Sequence, residues 1–184
     1  MMRFTRAFVC SLAIAFAGAA QADQNDPRLI GLFDRLQHTD NRLEADTLEA
    51  MIWDIWFTSA DMEVNRLMEE GSIAMSRGDM STAIGAFSKI IVMAPEFAEG
   101  WNRRATALYM IGDYEGSRAD VAKTLALEPR HFGALSGLGL INAAEDKGEA
   151  AIEAWEKALA VNPNMSSAQE NIDDMKAKLA EDNI

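Results

Sequence analysis

Few side chains in this sequence have the types and spacing that catalysis requires. It has two histidines among 184 residues, His38 and His131, and neither lies in the HExxH spacing of a zinc protease. No serine occupies a GxSxG turn, which would expose a nucleophile. The sequence therefore predicts neither enzymatic activity nor a cofactor. A small hydrolase or a small-ligand-binding protein is an alternative of another class, and it would require a closed polar pocket.

Acidic residues are numerous, but their order does not predict a metal site. Glu145, Asp146, Glu149 and Glu153 follow helical spacing and lack the Asp-x-Asp-x-Asp-Gly order of a calcium loop. Charges at that spacing are typical of solvated helix faces. The net charge of −12 also repels phosphate backbones, so nucleic acid is not an expected partner.

Residues 1–22 have the pattern of a secretory signal peptide. Arg3 and Arg6 precede an apolar run at 7–20, and the run ends in the small-x-small cleavage pattern Ala-Gln-Ala. A retained anchor is the alternative, but the run is shorter than the roughly 20 apolar residues that span a membrane. We expect cleavage after Ala22, export to the periplasm of a Gram-negative cell and no membrane span in the mature chain. Cleavage also removes Cys10, the one cysteine, so no disulfide is expected.

Helical periodicity predicts the elements that follow. Residues 23–28 are expected to be a disordered start. Apolar residues then recur between Leu29 and Leu36 at i, i+3, i+4 and i+7, which predicts one amphipathic helix, and residues 43–57 predict a second. Strand patterns are nearly absent, so the expected fold is all-α.

A strict repeat begins after these two helices. Pro95, Pro129 and Pro163 follow one another at a constant interval along the chain. Small and bulky residues return at the same distances from each proline. Gly78-Asp79 and Gly112-Asp113 predict turns between paired helices, because glycine can end a helix and aspartate can cap the next one.

This repeat resembles the tetratricopeptide repeat (TPR) family, whose helix-turn-helix unit has a period of about 34 residues. The resemblance rests on Gly71, Ala83, Phe87, Pro95, Trp101, Ala105, Leu108, Val121, Pro129, Leu138, Gly139, Ala151, Trp155, Ala158 and Pro163. It implies a right-handed solenoid with three repeats within 63–164, at about 64–97, 98–131 and 132–165. Residues 29–62 resemble a degenerate first hairpin of the stack, and 166–184 a capping helix with an acidic tail.

The resemblance also implies a binding function, since the repeats themselves are not catalytic. In the family, the first helix of each repeat lines a concave groove that holds a peptide or a partner's helix. The family's groove pattern selects Met68, Ser72, Met75, Asn102, Arg103, Thr106, Tyr109, Ser136, Leu140 and Ala143. Chaperone-binding members clamp a terminal carboxylate with lysines, asparagines and an arginine, and here Asn102 and Arg103 alone match that set. The groove is therefore expected to hold an apolar anchor flanked by hydrogen bonds.

The large aromatic residues have two interpretations. Trp101 and Trp155 match core positions of the family. Trp53, Trp56 and Phe57 lie close together in the chain, and a helix with about 3.6 residues per turn cannot point all three the same way. These three are expected either to be buried between the degenerate hairpin and its neighbour or to form a second docking patch.

Together these features predict a periplasmic adaptor or scaffold whose partner is a protein or a peptide. The alternative of the same class is an accessory factor in envelope biogenesis. Exported relatives with such repeats work in cytochrome maturation or outer-membrane protein assembly.

Export predicts a defined mature N-terminus. N-terminal sequencing of the protein recovered from the native host's periplasm is expected to begin at Asp23, because signal cleavage follows Ala22. A soluble cytoplasmic protein that retains Met1 would contradict the prediction.

Overall fold

The computed structural model describes residues 23–181. In that range the chain forms nine helices and no strand, which confirms the predicted all-α fold. The helices are α1 (Arg28–His38), α2 (Arg42–Phe57), α3 (Met62–Ser76), α4 (Met80–Met93), α5 (Ala98–Met110), α6 (Tyr114–Leu127), α7 (Phe132–Ala144), α8 (Gly148–Val161) and α9 (Ser166–Glu181). The predicted signal peptide and residues 182–184 lie outside the described residues.

Two turns between paired helices follow the predicted Gly-Asp signal. Gly78 and Gly112 have φ angles of 77° and 81°, in the left-handed region that glycine adopts without a Cβ clash. Asp79 and Asp113 then cap the next helices by accepting hydrogen bonds from backbone N–H groups at the third position further on. The third turn lacks this glycine and has Asp146 at a φ of 56°.

Paired helices approach closely where a glycine faces a large ring. A Cβ atom on Gly71 of α3 would lie 2.7 Å from Phe87 Cζ of α4. A Cβ atom on Gly139 of α7 would lie 2.6 Å from Trp155 Cε2 of α8. Both rings are buried, so the alternation of small and bulky residues sets the distance between the paired helices.

The hairpins α3–α4, α5–α6 and α7–α8 stack in chain order. The second helix of each hairpin packs against the next one along the chain, α4 on α5, α6 on α7 and α8 on α9. In α9, Ala168 and Ile172 are buried against Trp155. The last helix therefore covers the end of the stack.

A largely buried ion pair connects the two helices of the middle hairpin, α5 and α6. Arg104 of α5 donates to the two carboxylate oxygens of Asp120 of α6 at 2.7 and 2.8 Å, and to Ser88 Oγ of α4 at 3.1 Å. The hydrogen bonds to Asp120 raise the pKa of Arg104, against the opposing effect of burial. This side chain therefore links three helices.

The N-terminal hairpin does not extend the stack, so the expectation of a degenerate first repeat stacked before α3 is corrected. Instead, α2 packs against α5 and α1 packs against α8. Gln37 Nε2 donates to the Ala160 carbonyl at 2.8 Å, and Arg42 Nη1 donates to the Asn164 carbonyl at 3.1 Å. The physical reason is that the apolar faces of α1 and α2 form a common core with Phe132, at the start of α7.

Residues 23–28 are ordered in this arrangement, so the expectation of a disordered start is wrong. Gln24 is buried, its Nε2 donates to the Glu96 carbonyl at 2.5 Å, and its Oε1 accepts from the Ala98 N–H at 3.2 Å. Asp26 is also buried and pairs with Arg28. Hydrogen bonds of buried polar groups therefore fix this segment against the loop before α5.

The packing predicts that the two tryptophans expected in the core contribute unequally to the stability of the fold. Trp155→Ala should lower the free energy of unfolding by about 3–5 kcal/mol, because its ring is enclosed between α7 and α8. Trp101 is only half-buried, and its Nε1 donates to the Pro95 carbonyl. Trp101→Ala should therefore lower the free energy of unfolding by less than Trp155→Ala does. Urea denaturation measures both changes, and equal losses would contradict this packing.

Candidate protein-binding groove

A groove lies along α5, α7 and α9, and one part of it is a cavity of about 210 Å³. Five of the residues predicted from the family pattern line this cavity: Asn102, Thr106, Tyr109, Ser136 and Leu140. The rest of the lining comes from Ala105, Ser117, Val121, Gly133, Gly137 and Met165. The tertiary structure thus brings together residues of α5 and α7 that are separated by a whole repeat.

A second cavity of about 280 Å³ continues the groove toward the C-terminus. It shares Tyr109 and Leu140 with the first cavity, and it also includes Ala143. Its far wall is formed by α9, through Asn171, Asp174, Met175 and Lys178. The resemblance to the family implied only a capping role for α9. Asp174 of α9 nevertheless lies one repeat period after Leu140 in the sequence, at the equivalent position.

The remaining predicted residues lie outside these two cavities. Met68 is buried in the core of α3 and α4, so it is not available to a ligand. Arg103 turns toward α3, with its Nη2 atom 3.5 Å from Ser72 Oγ and 3.7 Å from Met75 Sδ. Its guanidinium also lies over the Phe57 ring, 5.3 Å from the centroid. Arg103 is therefore held by the protein's own side chains.

A buried polar network stands behind the first cavity. Glu99 Oε2 accepts from Asn102 Nδ2 and from His131 Nε2, both at 2.9 Å. His131 Nδ1 accepts from the Ala134 N–H and so caps α7. Because Nδ1 accepts that bond, the proton lies on Nε2, and a neutral imidazole makes both contacts. Glu99 and His131 are almost fully buried, at 1% and 0% exposed.

This network changes the interpretation of Asn102. The family's groove pattern places Asn102 in the groove and matches it to the carboxylate clamp. It does line the cavity, but its side chain is buried and its amide donates to Glu99. Asn102 therefore connects the groove to the buried network.

The aromatic residues of α2 explain why His131 is buried. The Trp56 ring stacks on the His131 ring, with 4.1 Å between centroids and 9° between planes. Trp53 packs edge-on against Phe132 at 5.4 Å. Trp56 is 1% exposed, and Trp53 and Phe57 are half-buried. The interpretation of these residues as an exposed docking patch is corrected, because α2 uses them to dock on α5 and α7.

Between residues 23 and 181, no group of three or more His, Cys, Asp or Glu side chains could hold a metal ion. In the same range, no helix is long and apolar enough to cross a membrane.

Sequence comparisons identify what this chain resembles. A family model described as tetratricopeptide repeat matches residues 68–126 and 111–168. A TPR repeat-containing protein of Rhizobium etli is 33% identical over 153 residues, which cover 83% of this chain and 75% of that protein. The Hsp70-Hsp90 organizing protein of Triticum aestivum is 32% identical over 111 residues, which cover 60% of this chain but 19% of that protein.

Comparisons with solved structures confirm the TPR solenoid fold. The Sgt2 TPR domain from Aspergillus fumigatus has a TM-score of 0.63 and 27% identity, over 67% of this chain and 83% of that domain. The first TPR of Spaghetti, bound to an HSP90 peptide, has a TM-score of 0.62 and 24% identity, over 64% of this chain and 94% of that chain. MamA has a TM-score of 0.60 and 23% identity, over 85% of this chain and 84% of that chain.

The buried network predicts a difference between two neighbouring groove residues. Asn102→Ala should lower the free energy of unfolding by about 1–3 kcal/mol, because it removes a hydrogen bond from the buried Glu99 carboxylate. Thr106→Ala is the matched control, since Thr106 is exposed and its hydroxyl bonds only its own helix. This control should change the free energy by less than about 0.5 kcal/mol. Chemical denaturation followed by circular dichroism measures both, and an equally stable Asn102→Ala variant would contradict the network.

Proposed function

Because this chain belongs to the tetratricopeptide repeat family, we propose that it is a non-catalytic adaptor that binds a segment of another protein. The binding surface is the groove formed by α5, α7 and α9. The observation that carries this proposal is the pair of adjoining cavities that share Tyr109 and Leu140. Adjoining cavities along a groove suit successive side chains of one bound segment.

The size of the cavities favours a peptide over a small molecule. Their volumes are about 210 and 280 Å³, below the roughly 300–1,000 Å³ of typical small-molecule sites. Val121, Leu140 and Met165 supply apolar contact in the first cavity, and Ser136 and Thr106 supply polar groups beside them. The proposed ligand is therefore a helix or an extended segment with an apolar anchor residue.

Charge distinguishes this ligand from the acidic peptides that some structural neighbours hold. The first TPR of Spaghetti was solved with the HSP90 peptide SRMEEVD. In this chain, Asn102 donates to Glu99, and the Arg103 guanidinium lies over the Phe57 ring and turns toward α3, so both groups that match the family's carboxylate clamp contact the protein's own side chains. The net charge of −12 also opposes an acidic ligand. We therefore propose a neutral or basic segment rather than an acidic C-terminus.

We propose the periplasm as the place where the adaptor acts. This part of the proposal is supported by the sequence alone, through the basic start, the apolar run and the Ala-Gln-Ala pattern within residues 1–22. A role in envelope biogenesis would be one use of such an adaptor.

The groove can be tested without knowing the natural partner. Linear peptides selected from a random library by the unmodified protein should lose at least tenfold in affinity, about 1.4 kcal/mol, on Leu140→Ala or Tyr109→Ala. Both side chains line both cavities, so either truncation removes contact from two sites. Isothermal titration calorimetry gives the dissociation constants.

Met110→Ala is the matched control, because Met110 follows Tyr109 on the same helix, is 55% exposed and lines neither cavity. It should bind the selected peptides as the unmodified protein does. A thermal melt of each variant verifies that the fold is intact. Undiminished binding by folded Leu140→Ala and Tyr109→Ala variants would place the binding surface elsewhere.

A further inference from the structure

A further groove lies outside the proposed binding site, on the outer face of the N-terminal hairpin. It has a volume of about 880 Å³ and runs between α1 and α2. Its lining is Arg28, Gly31, Leu32, Arg35, Asp46, Thr47, Ala50, Met51, Asp54 and Ile55. None of these residues lines either cavity of the proposed binding groove, so the two surfaces are separate.

The floor of this hairpin groove is apolar and open. Gly31 has no atom within 4 Å of the position of a Cβ, so nothing of the described chain fills the space above it. Met51 is 47% exposed, and the adjoining Leu43 is 76% exposed. A neighbouring cavity of about 330 Å³ shares Met51 and includes Leu43, which extends the apolar strip along α2. Contiguous exposed apolar surface of this kind marks an interaction site.

The two walls of the hairpin groove carry opposite charges. On α1 the charged groups are Arg28 and Arg35, and on α2 they are Asp46 and Asp54. Arg28 is the first residue of α1 and Asp54 lies in the last turn of α2, so both stand at the same end of the hairpin. The antiparallel course of the hairpin then places Arg35 near the level of Asp46.

This charge pattern is complementary to itself under two-fold symmetry. A two-fold axis parallel to the helices keeps each residue at its own level and exchanges the positions of α1 and α2. It therefore sets α1 of one copy across from α2 of the other. Arg28 would face the Asp54 of the second copy, and Arg35 would face its Asp46. An isologous interface requires such a self-complementary surface.

We propose that the chain forms a two-fold dimer in which the hairpin groove of each copy receives the α1–α2 hairpin of the other. The four helices then pack as a bundle with the exposed Met51 and the small residues Gly31 and Ala50 between them. Arg28 and Arg35 are 63% and 61% exposed despite their ion pairs with Asp26 and Glu44, so their guanidinium groups are accessible to a second copy. The interface leaves the groove on α5, α7 and α9 open.

A charge exchange tests the proposal on the full chain. Light scattering coupled to size-exclusion chromatography should give twice the monomer mass at micromolar concentration. Asp46→Arg should raise the dimer dissociation constant at least tenfold, because the introduced guanidinium faces Arg35 of the other copy at two symmetric places. Arg35→Asp combined with Asp46→Arg should restore dimerisation, because opposite charges face each other again.

The controls separate this proposal from the proposed function. Arg35, Asp46 and Arg42 are exposed and Glu44 is half-buried, so thermal melts of the variants should remain close to that of the unmodified chain. Leu140→Ala should dimerise normally even if it loses peptide binding. A chain that is monomeric at all concentrations would overturn the proposal. A dimer whose dissociation constant Asp46→Arg leaves unchanged would overturn it as well, and so would a failure of the double exchange to restore dimerisation.

Discussion

The close approach of paired helices is the constraint on which the rest of the structure depends. Where Gly71 faces Phe87 and Gly139 faces Trp155, a single added carbon atom would overlap the ring. Each ring fills the space between its helices, and this contact sets how the two helices lie against each other. A small residue recurs at this position in each repeat, so the first helices of successive repeats line one side of the stack. The groove is a consequence of that repetition.

The N-terminal hairpin modifies this regular framework through a second interaction. Trp56 stacks on His131 in the loop before α7, and His131 in turn donates to Glu99 at the start of α5. Docking of the hairpin thereby buries a polar network that joins two repeats. It also places the Phe57 ring beneath the Arg103 guanidinium.

The two open surfaces are carried by different elements. The proposed binding groove belongs to the repeats and to α9, whereas the hairpin groove belongs to α1 and α2. Since α1 and α2 dock with their inner faces, their outer faces carry the groove that is proposed to receive a second copy. A two-fold dimer would present two binding grooves at once, and linked grooves raise the effective affinity for a partner with two binding segments.

The sequence by itself determined the helical character of the described chain, the repeat period and the two Gly-Asp turns. These features follow from local rules, since the repeat period, a glycine in the left-handed region and an aspartate cap each act over short stretches of chain. The tertiary structure alone decided where the first hairpin docks, that Asn102 and Arg103 are engaged, and that α9 forms a wall of the groove. Those outcomes depend on contacts such as Trp56 with His131 and Phe57 with Arg103, between residues far apart in the chain. The periodicity of apolar residues predicts which face of a helix is buried, but it does not predict which distant part of the chain that face packs against.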